Sequence, residues 1–357
     1  MPKDYQLVIS IIKYASVLNV YGMINYASHM SKFIKMILIA EMVLFLALSE
    51  ITFVFGVNII NSKLKIGIVE NSFTGAAYRH DGFYDFYKKH LHEIKKGKDV
   101  TSDLNLLTPK IPNYSPQYDV SILENLPTHL RQIFPNANVS ILSDVNVHQG
   151  EIFNIKGDNT SDNAYDILIL GHQEYMTQQE YSNLKSFVAN GGTLIILTGN
   201  VFYTEVKYDN QTNSITLVDG HGFQFDGKTV RKGVDERWEK ETRQWLGSNF
   251  YPIYHWKKDY HHLYNNPFNF TGKQGGEEQY YDKTNHKIRI LLDYKSSDPR
   301  YPIATYELNY GKGKSIVIGL AGEDILAQCL EECQFYKMID KWLVNNAIPS
   351  YLSEKNS

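Results

Sequence analysis

Residues 166–200, DILILGHQEYMTQQEYSNLKSFVANGGTLIILTGN, restrict the fold more than any other part of the chain. The continuous apolar run Ile167–Leu170 suits a strand covered on both faces, as in a buried parallel sheet. Gly171 ends the run, and His172, Gln173, Glu174 and Tyr175 follow at once. Thr177 stands three residues before Glu180, the spacing of a helix-capping box. Leu184, Phe187 and Val188 give the following helix one apolar face, and Asn190-Gly191-Gly192 stops it. Residues 193–198 then form a second strand. In open α/β sheets, ligands bind just beyond the carboxyl ends of the strands. His172 and Glu174 occupy one such end and Thr198-Gly199-Asn200 its neighbour, so the chemistry of the chain is expected there.

The same alternation extends outward. Strands are expected at 64–69, 139–142 and 313–320. Helices are expected at 82–92, which is rich in aromatics, at 122–134, with Leu123, Leu126 and Leu130 on one face, and at 323–346. Residues 95–116 read as a loop. Together these predict an α/β fold, a three-layer sandwich around a mostly parallel, doubly wound sheet, drawn from residues 62–200 and 312–350. Residues 201–311 break the pattern with a hairpin (202–209 and 214–218), glycine turns, Trp238, Trp245 and Trp256, and alternation at 287–294. A structureless loop of that length is rare, so this segment is expected to be a mostly β insertion.

Residues 1–61 are set apart by an apolar run at about 36–60, preceded by Lys32 and Lys35. The run is long enough to span a bilayer as an N-terminal apolar helix, which takes roughly 20 residues. Glu41 and Glu50 count against insertion. Three readings stand: a membrane anchor, a cleaved signal starting from Met30, and an amphipathic helix packed on the domain. The first two put the globular part outside the cytoplasm, membrane-anchored or secreted, and five Asn-x-Ser/Thr sites agree weakly with export. Lysines flank the run on both sides, so the positive-inside rule itself barely bears on that orientation.

A formal net charge of -3, with no basic stripe, argues against a nucleic-acid partner. The two cysteines, Cys329 and Cys333, are four apart in a helical pattern and read as buried spectators. Neither lies at a strand end, and the turn at Gly171 contains no serine or cysteine, so it lacks the nucleophile of an elbow motif. What the turn does offer is a carboxylate and an imidazole. Tyr78 lies beyond another strand end, and Tyr114 and Tyr118 lie in the loop before the next helix. Phenolates and a carboxylate form a hard, all-oxygen set that suits Fe(III) better than zinc. Taken singly, each of the 26 tyrosines reads as packing. Trp238, Trp256, Tyr260, His261, His262 and Tyr264 could form a carbohydrate platform or second metal site, or simply the aromatic core of the insertion.

GHQEYMTQQEYSNLKSFVANGGTLIILTGN resembles the GH-x-EYW…FV-x-x-GG-x-L…GN signature of the N,N-dimethylformamidase large (beta) subunit-like C-terminal domain family. Asn71-Ser-Phe-Thr-Gly-Ala-Ala-Tyr78-Arg-His-Asp-Gly82 is similar to that family's T-x-x-AYN-x-x-GG segment. The resemblance implies a class I glutamine amidotransferase-like fold and a mononuclear iron held by two tyrosines and a glutamate. Glu174 matches the glutamate, His172 the motif histidine and Tyr78 the first tyrosine; Tyr114 is taken as the second, with Tyr118 the alternative. Met176 replaces the motif tryptophan, Arg79 an asparagine, and Asp81-Gly82 a glycine pair, departures that bear on substrate more than on fold. The expected activity is iron-dependent hydrolysis of a small-molecule amide C–N bond, with His172 moving protons and Asn200 positioning substrate. A membrane-tethered, non-catalytic binding protein on the same scaffold is the alternative.

Overall fold

The computed structural model describes residues 64–111, 120–155, 161–198, 201–220, 223–224, 229–230, 237–247, 249–251, 278–280, 287–292, 303, 305–319 and 336–343. The strands are β1 (Lys65–Glu70), β2 (Asn138–Ser143), β3 (Phe153–Ile155), β4 (Ser161–Asn163), β5 (Ile167–Leu170), β6 (Tyr175–Met176), β7 (Thr193–Ile196), β8 (Thr204–Asp209) and β9 (Ser214–Gly220). They continue with β10 (Phe223–Gln224), β11 (Thr229–Val230), β12 (Asn249–Tyr251), β13 (Glu278–Tyr280), β14 (Ile288–Leu292), β15 (Thr305–Tyr310) and β16 (Gly313–Ile318). The helices are α1 (Ser72–Tyr78), α2 (Phe83–Lys95), α3 (Thr101–Asn105), α4 (Val120–Ile133), α5 (Asp144–His148), α6 (Gln178–Ala189) and α7 (Glu239–Trp245). Residues 336–343 are also helical.

Leu64–Ile133 and Ala137–Asp340 form one compact unit. Its centre is a seven-stranded sheet in the order β14-β15-β16-β7-β5-β1-β2. The five strands from β16 to β2 run parallel; β14 and β15 continue the sheet antiparallel. The chain steps from β1 outward to β2, returns to β5 on the other side of β1, and proceeds away through β7. The direction of winding therefore reverses between β1 and β5. At such a switch point the connections leave in opposite directions and open a crevice above the carboxyl ends.

Side chains in β5 and β7 are buried on both sides of the sheet. Leu168, Leu170, Leu194 and Ile196 join Tyr181, Leu184, Phe187 and Val188 of α6 in one core cluster. The intervening Ile167, Ile169 and Ile195 are equally buried. Each such side chain contributes about 1.5–3 kcal/mol on burial, which makes a one-residue register slip prohibitive. Gly191 adopts φ 111°, and a Cβ at Gly192 would lie 2.3 Å from the Phe187 ring, so the glycine pair is required for the tight return to β7.

The expected hairpin forms as β8 and β9, which pair with β6 in a separate three-stranded sheet. Residues 201–311, however, are not wholly an insertion. β14 and β15 belong to the central sheet, because β15 turns through Gly311 (φ 60°) straight into β16. No helix among the described residues is long and apolar enough to cross a membrane. The run at 36–60, Cys329 and Cys333, most of the closing helix, and Trp256, Tyr260, His261, His262 and Tyr264 lie outside the described residues. Trp238 is buried and stacked on Tyr181, with ring centroids 4.5 Å apart, so it serves the core.

Candidate functional site

The space beyond the carboxyl ends of β1 and β5 is filled from both strands. β1 passes directly through Asn71 into α1, whose last residue is Tyr78. β5 passes into the turn Gly171 to Glu174, which is fastened on both sides. The Asn71 amide donates to the His172 carbonyl (2.8 Å), and Thr74 Oγ1 accepts from the backbone N–H groups of Glu174 and Tyr175 (both 3.0 Å). From the far side, Phe202 N donates to the Gln173 carbonyl, while Tyr203 N and Thr204 N donate to that of Glu174. Phe202 is fully buried with φ 62°, a conformation that costs a non-glycine residue about 1–3 kcal/mol. Its ring, stacked on Trp245 at 5.7 Å, helps hold it there.

Within this frame the side chains of the turn diverge. His172 and Glu174 point one way, and Gln173 the other. Glu174, 1% exposed, receives three groups at once. Tyr78 Oη donates to Oε2 at 2.6 Å, Tyr84 Oη to Oε1 at 2.5 Å, and His172 Nε2 lies 2.9 Å from Oε2. The two phenol oxygens are 3.0 Å apart, with ring centroids separated by 4.0 Å. The His172 ring stands edge-on to Tyr78 at 5.6 Å. Tyr78 and Tyr84 are part-buried, so they line the approach to a carboxylate at the bottom.

Tyr84 reaches this point because of Gly82. α2 starts so close to the end of α1 that a Cβ at Gly82 would lie 2.3 Å from the Ala77 carbonyl oxygen. Glycine is the residue that permits this approach. The chain consequently folds back within six residues and lays Tyr84 on Tyr78.

A family model for the N,N-dimethylformamidase beta subunit-like C-terminal domain matches residues 64–285, more than half of the chain. The chain belongs to this family. No curated protein matches it. Among solved structures, a GH42 β-galactosidase from G. stearothermophilus is 13% identical, covering 78% of this chain and 30% of its own, with a TM-score of 0.33. A ThuA-like protein from Bacteroides uniformis is 13% identical over 80% of this chain and 89% of its own, with a TM-score of 0.35. This chain thus spans about 30% of the length of the galactosidase, and likenesses this loose bear no argument about activity.

Tyr78, His172 and Glu174, singled out on the N,N-dimethylformamidase-like motif, are brought together by the structure. Tyr114, Tyr118 and Asn200 lie outside the described residues. Tyr84 went unread as a site residue. The signal was present in Gly82, which places the following aromatic residues over Tyr78, but helix periodicity alone reads them as packing. The donor set fits a hard cation: two phenols and a carboxylate share one small volume, with an imidazole beside them. Among the described residues no cluster of three His, Cys, Asp or Glu side chains exists, so a metal here would depend on the tyrosines. Burial, then the Glu174 carboxylate, holds the Tyr84 phenol well above its ordinary range. The Tyr84 phenol is therefore a donor to Glu174 unless a strong positive charge displaces its proton.

The capping-box expectation needs correction. Thr177 Oγ1 accepts from Glu180 N (3.0 Å) as the spacing predicts, but no full hydrogen bond from Thr177 N to the Glu180 carboxyl completes the box. The carboxyl turns inward, 3.1 Å from Gln173 Nε2, where it meets Asp144.

Proposed function

We propose that this chain is a metal-dependent hydrolase of a small-molecule amide C–N bond, related in chemistry to N,N-dimethylformamidase. Family membership supports the reaction class, and the convergence of Tyr78, Tyr84 and His172 on Glu174 is the observation that carries the reading. We read the sheet as a glutamine amidotransferase-like, three-layer sandwich. Crossovers that leave β1 and β5 in opposite directions put α4 and α6 on opposite faces when both are right-handed.

Tyr78 and Glu174 would hold Fe(III), with a second phenol from Tyr84 or, outside the described residues, from Tyr114 or Tyr118. Bound iron would supply Lewis acidity toward the amide carbonyl and lower the pKa of a water molecule. The chain's own groups do the rest. His172, kept beside Glu174, holds the proton that the departing nitrogen needs. The turn's backbone hydrogen bonds fix the direction of Glu174, and burial of the carboxylate keeps bulk water from competing for it. Asn200, four residues beyond the last residue of β7 in the sequence and outside the described residues, would orient the substrate. The segment at 36–60 would tether this domain to a membrane, or be removed from it, leaving the domain outside the cytoplasm; fractionation of cells carrying the full chain tests this.

The decisive measurement is metal content and visible absorption of the purified full chain, expressed with iron supplied. Bound iron with a tyrosinate charge-transfer band, lost in Tyr78→Phe and Glu174→Gln, is the expected result. Loss of the band in Tyr84→Phe but not in Tyr114→Phe assigns the second phenol to Tyr84. A metal-free chain that releases no amine from formamides or other small amides overturns the proposal in favour of a binding protein.

A further inference from the structure

Behind the turn, on the side away from the phenols, Asp144, Gln173 and Glu180 are buried together with no exposed surface. Asp144 is the first residue of α5, and its carboxylate links two elements. Oδ2 accepts from the backbone N–H of Phe73 (2.6 Å) and faces Ser72 Oγ at 3.4 Å, while Oδ1 accepts from Gln173 Nε2. The first of these contacts caps α1. That helix has no side-chain cap of its own, because the amide of Asn71 is turned to the His172 carbonyl. Asp144 thus holds the helix that ends in Tyr78, and through Gln173 it holds the turn that presents Glu174.

Glu180 completes the group. Its Oε1 accepts from Gln173 Nε2, but Oε2 is buried and makes no full hydrogen bond. An ionised Glu180 would leave that oxygen unsatisfied next to a second carboxylate, and two adjacent buried carboxylates do not both ionise. Asp144, by contrast, is surrounded by donors and is the oxygen pair that benefits from charge. Burial, followed by the charge and hydrogen bonding of Asp144, pushes Glu180 well above the ordinary glutamate range.

We propose that Asp144 and Glu180 share one proton, resident on Glu180, and that the single charge on Asp144 positions Tyr78 and Glu174 relative to each other. Asp144 is on this view a positioning residue, and its importance for catalysis rests on the amide-hydrolase reading of Tyr78 and Glu174. The proton assignment and the positioning do not, since both are properties of the metal-free chain.

The test uses that metal-free full chain. Infrared spectra near neutral pH, in water and heavy water, are expected to show the C=O stretch of a protonated carboxyl group, absent in Glu180→Gln. Persistence of the band in Glu180→Gln overturns the assignment. Positioning is read by fluorine NMR of the chain labelled with fluorotyrosine, the Tyr78 resonance being the one lost in Tyr78→Phe. Asp144→Asn turns a donor toward Phe73 N or Gln173 Nε2 and is expected to shift or broaden that resonance. Glu180→Gln, which keeps a donor toward Asp144, is expected to leave it in place. A Tyr78 resonance unmoved in Asp144→Asn overturns the positioning role. Should Asp144→Asn fail to fold, Gln173→Met cuts the link to the turn, together with the Gln173 bond to Glu180, while leaving the Asp144 bond to Phe73 N in place, and the same two outcomes apply. A chain that binds no iron would sink the hydrolase reading while leaving these results standing.

Discussion

Thr74 shows how much of the site depends on a single hydroxyl that does no chemistry. Its Oγ1 is the acceptor for two buried N–H groups, those of Glu174 and Tyr175. Thr74→Val keeps the shape and removes the acceptor, which should cost about 1–3 kcal/mol for each N–H left unsatisfied. Denaturant unfolding is expected to show a lower midpoint with an unchanged slope. Glu180 offers a second residue-scale outcome with a definite sign. Its carboxyl, facing Asp144 and Gln173, is raised in the fold above the ordinary 4.5, so the folded chain keeps a proton that the unfolded chain releases. The stability it contributes is fully present below that value and is lost as pH rises toward the raised one. Glu180→Gln does not titrate, so its stability relative to the parent should improve with increasing pH above about 4.5. Thermal midpoints taken across that range check it, and a pH-independent difference would place the proton elsewhere.

At the scale of elements, the site is the product of two helix entries. α1 leaves β1 at once, and α2 is folded back against its end at Gly82. Gly82→Ala drives a Cβ into the backbone of Ala77, so α2 must move away and take Tyr84 with it. The Tyr84 bond to Glu174, 2.5 Å long, is expected to break while the central sheet survives. Far-UV circular dichroism close to the parent spectrum, together with a changed tyrosine signal in the near-UV, would record this. An unchanged near-UV spectrum would mean that the approach of the helices does not hold Tyr84. The capping-box spacing at Thr177 illustrates the limit of local reading. The motif placed the helix start correctly, but the glutamate also meets buried partners, Gln173 among them, that the spacing does not reveal.

For the molecule as a whole, the switch point decides which strand ends stand side by side at the centre of the sheet. β1 and β5 are flanked on both edges by parallel neighbours, whereas β2 and β14 are the edge strands of the sheet among the described residues. Amide hydrogen exchange should therefore be slowest in β1, β5 and β7 and faster in β2, where Ile141 is 50% exposed. Equal protection of β2 and β5 would contradict this arrangement. Much of it was legible in the residues. The apolar-rich runs Ile167–Leu170 and Thr193–Ile196 and the glycine pair between α6 and β7 specify a buried βαβ unit, because hydrophobic periodicity and turn chemistry are local properties. The motif around Gly171 likewise singled out His172, Glu174 and Tyr78, which the structure brings together at the carboxyl end of β5. Tyr84 was not legible, nor the pairing of Asp144 with Glu180, nor the membership of β14 and β15 in the central sheet. Each of these joins residues whose encounter is set by close backbone approach, by burial of polar groups against one another, or by strand pairing. Such contacts are satisfied in three dimensions and have no period along the chain. Local patterning was enough to specify the βαβ unit and the strand end where a carboxyl group and an imidazole meet; which phenols and which buried carboxyl groups stand around them was settled by tertiary contacts alone.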